Sequence, residues 1–262
     1  MALVSMKDVS FAFSDQLPVM EKLSIDIQEG EVVALVGPSG SGKSTLFRIL
    51  SGLLESDSGH VFWNDQVKNA AERLGNVSYV PQQPQLLPWR NTAENASISL
   101  EIAGMSRKKA VQTVLPLLQR FGLHDFANAL PPQLSGGMRQ RVSLMRAMLH
   151  PAPLLLMDEP FSALDSLTRM DMHDWLLELW ETEARTVLLI THDIDEAILL
   201  ADRILLVAEI PMRTLIEIPV PFKRPRRSSI EWTEPFMQLK RDILAHLGHR
   251  VELARSTAEV QL

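Results

Sequence analysis

Gly37-Pro38-Ser39-Gly40-Ser41-Gly42-Lys43-Ser44-Thr45 combines glycines, a lysine and hydroxyls within one short stretch. Glycines let a backbone curl around a phosphate chain and aim its N–H groups inward. The apolar, β-branched run Val32-Val33-Ala34-Leu35-Val36 before it reads as a buried strand, and Leu46-Phe47-Arg48-Ile49-Leu50 after it as a helix. The N-terminus of that helix adds partial positive charge. Strand, glycine-rich loop, Gly-Lys-Ser and helix together make a phosphate-binding P-loop. By average residue usage the pattern arises by accident in about one chain in a hundred, and the flanking strand and helix lower that further. Lys43 would bridge the β- and γ-phosphates of a nucleotide, and the Ser44 hydroxyl would ligate Mg²⁺.

Other residues could work on the same phosphates. Leu134-Ser135-Gly136-Gly137 opens a helix running to about Leu149. Ser135 suits an N-cap, and Gly136-Gly137 leaves amides bare at a positive helix end, a second anion site. Leu154-Leu155-Leu156-Met157 reads as a buried strand ending in Asp158 and Glu159. Asp158 stands where a P-loop enzyme holds Mg²⁺, and Glu159 could polarise a water as general base. Gln82 follows the strand Val77–Val80, and its amide oxygen could ligate Mg²⁺ or a water on it. His192 sits at the tip of the strand Thr186–Ile190, where parallel sheets open their ligand crevice. Phe11 or Phe13 could stack on an adenine ring, or both could fill the core of a strand.

Around these motifs, residues 3–36 read as strands with tight connections, including Leu3–Val9 and Leu23–Ile27. Asp57-Ser58-Gly59 turns into the strand His60–Trp63. From about 91 to 150 the pattern is helical. Val111, Val114, Leu115, Leu118 and Phe121 recur at helical spacing, with a kink or break expected at Pro116. Ser162-Ala163-Leu164-Asp165 leads into a helix reaching about residue 183, and Ile194–Ala201 forms another before the strand Ile204–Val207. In the tail, Lys223-Arg224-Pro225-Arg226-Arg227 reads as a solvated basic surface, with contact to a partner or to acidic lipid headgroups as the rival. Residues 233–247 read as an amphipathic helix, and Leu86-Leu87-Pro88-Trp89 as an apolar patch suited to burial or docking.

The chain has 262 residues, 46% of them hydrophobic, enough for one large domain or a domain with a subdomain. It holds no uninterrupted apolar run of about 18 residues, so it is not expected to span a membrane by itself. Its first residues lack the basic-then-apolar order of a signal peptide. The absence of cysteine fits the cytoplasm, and the net charge of −6 argues against nucleic acid as a partner.

Taken together, the motifs resemble the ATP-binding subunit of an ABC transporter across nearly the whole chain. Gly37–Thr45 matches that family's Walker A, Gln82 its Q-loop, Leu134–Gln140 its signature and Leu154–Glu159 its Walker B. Asp165 closes the D-loop, His192 matches the switch histidine, and Phe13 falls where the family usually stacks a tyrosine on adenine. The resemblance implies an α/β fold: a P-loop NTPase ABC cassette with a RecA-like core, an antiparallel β subdomain and a helical subdomain. It places the ATP-binding domain at 1–207, its helical subdomain at about 91–150, and a C-terminal extension at 208–262. It implies ATP and Mg²⁺, held by Phe13, Gly37, Pro38, Ser39, Gly40, Ser41, Gly42, Lys43, Ser44 and Thr45. Gln82, Ser135, Gly136, Gly137, Asp158 and Asp165 complete the set, with Ser44, Gln82 and Asp158 around the metal.

Glu159, His192 and Lys43 are the expected catalytic groups. The implied partners are a second ATP-binding subunit, as a homodimer, an integral membrane permease and, indirectly, a solute-binding protein. The implied place is the cytoplasmic face of the inner or plasma membrane. Leu86-Leu87-Pro88-Trp89-Arg90 with Glu94-Asn95, and the tail's Arg-Pro-Arg, resemble the nitrate, sulfonate and taurine importer group. Ala208-Glu209-Ile210-Pro211-Met212 departs from it by lacking a glycine. The competing class is a soluble ABC ATPase acting on a non-transport partner. Such relatives usually carry tandem cassettes or long coiled-coil insertions, and this chain has neither. A regulatory subunit without turnover is disfavoured by the presence of both Glu159 and His192.

Overall fold

The computed structural model describes residues 1–13, 18–182, 185–224 and 226–259; Pro225 of the basic run and residues 260–262 of the expected extension lie outside these. The strands are β1 (Ala2–Ala12), β2 (Pro18–Gln28), β3 (Val32–Val36), β4 (Ser58–Trp63), β5 (Gln66–Val67), β6 (Val77–Val80), β7 (Leu154–Asp158), β8 (Thr186–Thr191), β9 (Arg203–Val207) and β10 (Leu215–Pro219). The helices are α1 (Lys43–Leu50), α2 (Ala70–Arg73), α3 (Thr92–Ala96), α4 (Ile98–Ile102), α5 (Arg107–Arg120), α6 (Gly136–Met148), α7 (Ser166–Thr182), α8 (Ile194–Leu200) and α9 (Glu234–Glu259). The chain divides into two compact units, Met1–Leu74 with Met172–Leu262, and Gly75–Asp171.

In the first unit β3 runs parallel to β8 on one side and β9 on the other, and β10 closes antiparallel on β9. Every residue of β3 and β8 is buried. Strands covered on both faces need apolar side chains throughout, which is why these segments read as runs rather than alternations. Leu46, Phe47, Ile49 and Leu50 of α1 are fully buried, so the helix after the P-loop is locked to the core. A separate antiparallel sheet pairs β1 with β2 and β4, and β4 with β5. The alternation of β1 is loose because Asp8 takes a left-handed φ of 51° and the register shifts between Met6 and Val9, a bulge.

In the second unit β6 and β7 pair in parallel, from Val77 opposite Leu154 to Val80 opposite Met157. Helices α3 to α6 pack beside them. α5 runs continuously through Pro116, so the expected break does not occur. Pro116 and Gln112 are exposed, so the carbonyl that loses its donor can turn to water. Ala110, Val114 and Leu118 on the opposite face are fully buried and hold the helix in place.

The basic run of the tail is only in part the solvated surface that its composition suggests: Lys223 and Arg227 are exposed and Arg224 half-buried. Arg226 is only 3% exposed. Its Nε donates to Phe222 O at 2.8 Å, and its Nη1 to Leu199 O at 3.2 Å and to Ala201 O. Asp202 pairs with Arg224, and with Arg226 at 3.7 Å. Burial pushes the Arg226 guanidinium down to about 10. In α9, Phe236 and Ile243 are buried while Met237 and Leu244 are exposed.

Candidate functional site

The P-loop links β3 to α1. Gly42 occupies the N-cap of α1 with φ 93° and makes no side-chain cap, so the first-turn amides are left to other acceptors. A Cβ added there would lie 2.5 Å from Val19 Cγ1, so glycine is required twice over, by conformation and by space. Gly40, at φ 77°, faces open space. Pro38, Ser39 and Gly40 form an exposed rim, and Lys43 lies buried beneath it. Its Nζ donates to Gly37 O at 2.9 Å and Pro38 O at 2.8 Å and stands 3.5 Å from Ser41 Oγ. Ser44 is half-buried and Thr45 buried.

His192 belongs to the same unit. Val36 pairs with Thr191, so the P-loop and the exposed His192 leave neighbouring parallel strands at the same edge. Phe11 is buried and meets Phe13 edge-on, with ring centroids 4.9 Å apart, while Phe13 is 45% exposed.

The second unit carries the remaining residues. Pairing of Val80 with Met157 brings Gln82 and the Asp158-Glu159 pair to one strand edge. Gln82 Nε2 donates to Glu159 Oε2 at 3.1 Å, a contact between side chains that the sequence assigns separate tasks. Glu159 has a φ of 47°, the left-handed region that side-chain-bearing residues avoid. Ser162 holds its carbonyl, through N at 3.3 Å and Oγ at 2.9 Å. Asp158 is buried, and Tyr79 Oη donates to its Oδ2 at 3.3 Å.

Ser135 caps α6, its Oγ accepting from Met138 N at 3.2 Å. Gly136 opens on free space. Gly137 has no such room: a Cβ there would sit 3.2 Å from Leu164 Cδ2 and 3.4 Å from Ala163 O. Asp165 is occupied as a cap of α7. The Thr168 hydroxyl, at 2.7 Å, and the Thr168 amide, at 3.0 Å, hold its carboxyl below the usual carboxylate range.

Two contributors escaped the sequence reading. Tyr79 is the chain's one tyrosine, and its contact with Asp158 spans 79 residues. Arg146 of α6 donates to Pro84 O and Gln85 O, each at 3.0 Å, and so fixes the loop after Gln82. No local pattern announces either.

Comparison with known proteins supplies the family. The ABC transporter family model matches residues 20–162. The chain belongs to the ABC transporter family. The cassette is 45% identical over 249 residues to the formylaminopyrimidine import ATP-binding protein ThiZ of Halalkalibacterium halodurans, covering 94% of this chain and 96% of that one. It is 42% identical over 252 residues to the aliphatic sulfonates import ATP-binding protein SsuB of a Mycobacterium species, covering 96% of each. Among solved structures it superposes on the dimeric ATP-binding cassette MJ0796, in a post-hydrolysis state bound to ADP and Pi. That match has a TM-score of 0.75 and 30% identity, and covers 84% of this chain and 100% of that one. The cassette is therefore an ABC-type ATPase subunit related to those of sulfonate-type importers. Its fold has the RecA-like core, β-sheet subdomain and helical subdomain of that family. No helix among the described residues is long and apolar enough to cross a membrane.

The residues present fit a nucleotide and a hard cation. The uncapped start of α1 and the open space over Gly40 suit a phosphate chain. Among the described residues no cluster of three His, Cys, Asp or Glu could hold a metal. The Ser44 hydroxyl of the first unit, and the Gln82 amide oxygen and Asp158 carboxylate of the second, are hard oxygen donors. Each is of the kind that Mg²⁺ takes, alongside waters and phosphate oxygens.

Proposed function

We propose that this cassette binds ATP with Mg²⁺, pairs head to tail with a second cassette, and hydrolyses ATP to drive a membrane importer of a small solute. The observation that carries the reading is the uncapped, glycine-built P-loop of the first unit; Glu159, held in a left-handed conformation at a strand end of the second unit, is the acid we assign to it. Phe13 stacks on the adenine. Backbone amides of the Gly37–Thr45 loop, other than the N–H-less Pro38, bind the phosphates together with Lys43. Ser44, Gln82 and Asp158 would hold Mg²⁺, which would supply positive charge against the phosphates. Glu159 takes the proton of the attacking water, and His192 contacts the γ-phosphate. Ser135, Gly136 and Gly137 of the second copy complete the site, with Asp165 beside it. The dimeric state of the MJ0796 cassette supports that pairing.

For the permease we assign the face around the loop after Gln82. Trp89 is 72% and Ile102 74% exposed. Close by, a cavity of about 270 Å³ is lined by residues including Tyr79, Leu87, Ile98 and His150. The buried Asn95 amide fixes the loop, donating to Leu87 O at 3.1 Å and Arg90 O at 2.7 Å. A cytoplasmic loop of the permease docks here and holds the cassette, as a peripheral subunit, at the cytoplasmic face of the membrane. The Leu86–Arg90 sequence and the likeness to SsuB support an importer in the nitrate, sulfonate and taurine group. A solute-binding protein would deliver the cargo to the permease.

Glu159→Gln tests the reading. Hydrolysis should fall by about 10²- to 10⁴-fold while ATP binding persists, and an ATP-bound dimer should accumulate in size-exclusion chromatography. Unchanged turnover would remove Glu159 from its role. Recovery of a multi-pass partner with the tagged cassette from solubilised membranes would test the transport half.

A further inference from the structure

The tail beyond β10 is wrapped around one short helix, and that helix begins beside His192. Asp193, the next residue, caps α8: its Oδ1 accepts from Asp195 N at 2.9 Å and Glu196 N at 3.2 Å. Asp193 N in turn donates to Thr191 Oγ1 at 3.0 Å. His192 is thus strung between the last residue of β8 and the cap of α8, and its position follows the helix.

A helix this short is unstable alone. Its ends are held by the tail. At the far end Arg226 supplies a buried cation to the carbonyls of Ile198, Leu199 and Ala201, the groups a helix leaves unpaired. At the near end Lys240 Nζ of α9 meets Asp195 Oδ2 at 2.6 Å. Phe222 and Phe236 stack with centroids 6.1 Å apart, joining the segment that carries Arg226 to the helix that carries Lys240. The tail is also tied to the strand of the P-loop. Arg224 pairs with Asp202, whose Oδ2 accepts from Val32 N at 2.9 Å.

We propose that the C-terminal tail is a clamp that sets the position of His192, with Arg226 and Lys240 as positioning residues acting through α8. The proposal rests on the reading of His192 as a γ-phosphate contact. Lys240 is the better probe, because it touches α8 without touching the Asp202 knot beneath the P-loop. Its side chain is 31% exposed, so its removal leaves the core intact.

The test uses the full-length protein. Lys240→Ala should lower kcat about 3- to 10-fold with KM for ATP unchanged, because the contact it removes lies at the start of α8, beside His192, and not on the P-loop. Hydrogen exchange over residues 193–200 should quicken in the same variant, and Lys240→Arg should restore both. Arg226→Lys keeps the charge but cannot reach the same carbonyls, and should show the same split between kcat and KM. Wild-type kcat, or wild-type exchange over α8, in Lys240→Ala would overturn the clamp. His192→Ala run in parallel separates the two claims. If that variant hydrolyses ATP normally, the role of His192 fails, while exchange over α8 still judges whether the tail holds the helix.

Discussion

The two strand ends to which we assign the chemistry hold their backbones in different ways. After β3 the left-handed positions are Gly40 and Gly42, and the loop needs no side chain there if, as proposed, its amides do the binding. After β7 the left-handed position is Glu159, with a full side chain. Ser162 and Gln82 hold it from either side. A side-chain-bearing residue in that region costs about 1–2 kcal/mol. A cradle made of backbone can be built from glycine and avoid the strain. The proton acceptor proposed at Glu159 cannot, since its side chain would be the function, and so the strain collects at the group assigned to react.

The largest expected effect comes from making the second strand end resemble the first. Glu159→Gly should abolish turnover, by about 10²- to 10⁴-fold. It should also raise stability by about 1 kcal/mol in denaturant unfolding, as the strain is released. A less stable variant would mean that Glu159 is not strained. The converse substitution, Gly42→Ala, forces a side chain into the glycine-built end. Mg–ATP affinity should drop by about 10- to 100-fold in calorimetry, matching a strain of about 1–3 kcal/mol; wild-type affinity would show that the cradle tolerates a methyl group. Gln82→Ala removes one restraint on Glu159, and a fall of about tenfold in kcat is expected from the loss of that hydrogen bond. An unchanged kcat would mean that neither the hold on Glu159 nor the Mg²⁺ role proposed for Gln82 depends on its amide. Trp89→Ala lies away from both ends. Stability should stay within about 0.5 kcal/mol and ATP should still bind, while capture of the permease weakens. Loss of ATP binding in that variant would return Trp89 to a structural role.

What could be read in advance follows the same division. The P-loop is legible because its geometry is written in consecutive residues, and β3, β7 and β8 because burial on both faces leaves only apolar choices. Glu159 was legible as an acid but not as a strained one, since no local pattern marks a left-handed glutamate. Pro116 misled because propensity carries no information on which face meets water. Within the basic run, Arg226 misled for a related reason. Its acceptors, the last carbonyls of α8, lie 25 to 28 residues earlier in the chain, and a charge count cannot see them. Arg146 reaches carbonyls 61 and 62 residues away, through the fold alone.

Gly137 has a mechanical consequence. The start of α6 runs so close to the loop before α7 that a methyl group on Gly137 would press on Leu164 Cδ2 at 3.2 Å and stand 3.4 Å from Ala163 O. The leucine tip or one of the two backbones would have to give by a few tenths of an ångström to admit it. The missing methyl group thus sets how near the first turn of α6 can lie to the Ser162–Asp165 loop.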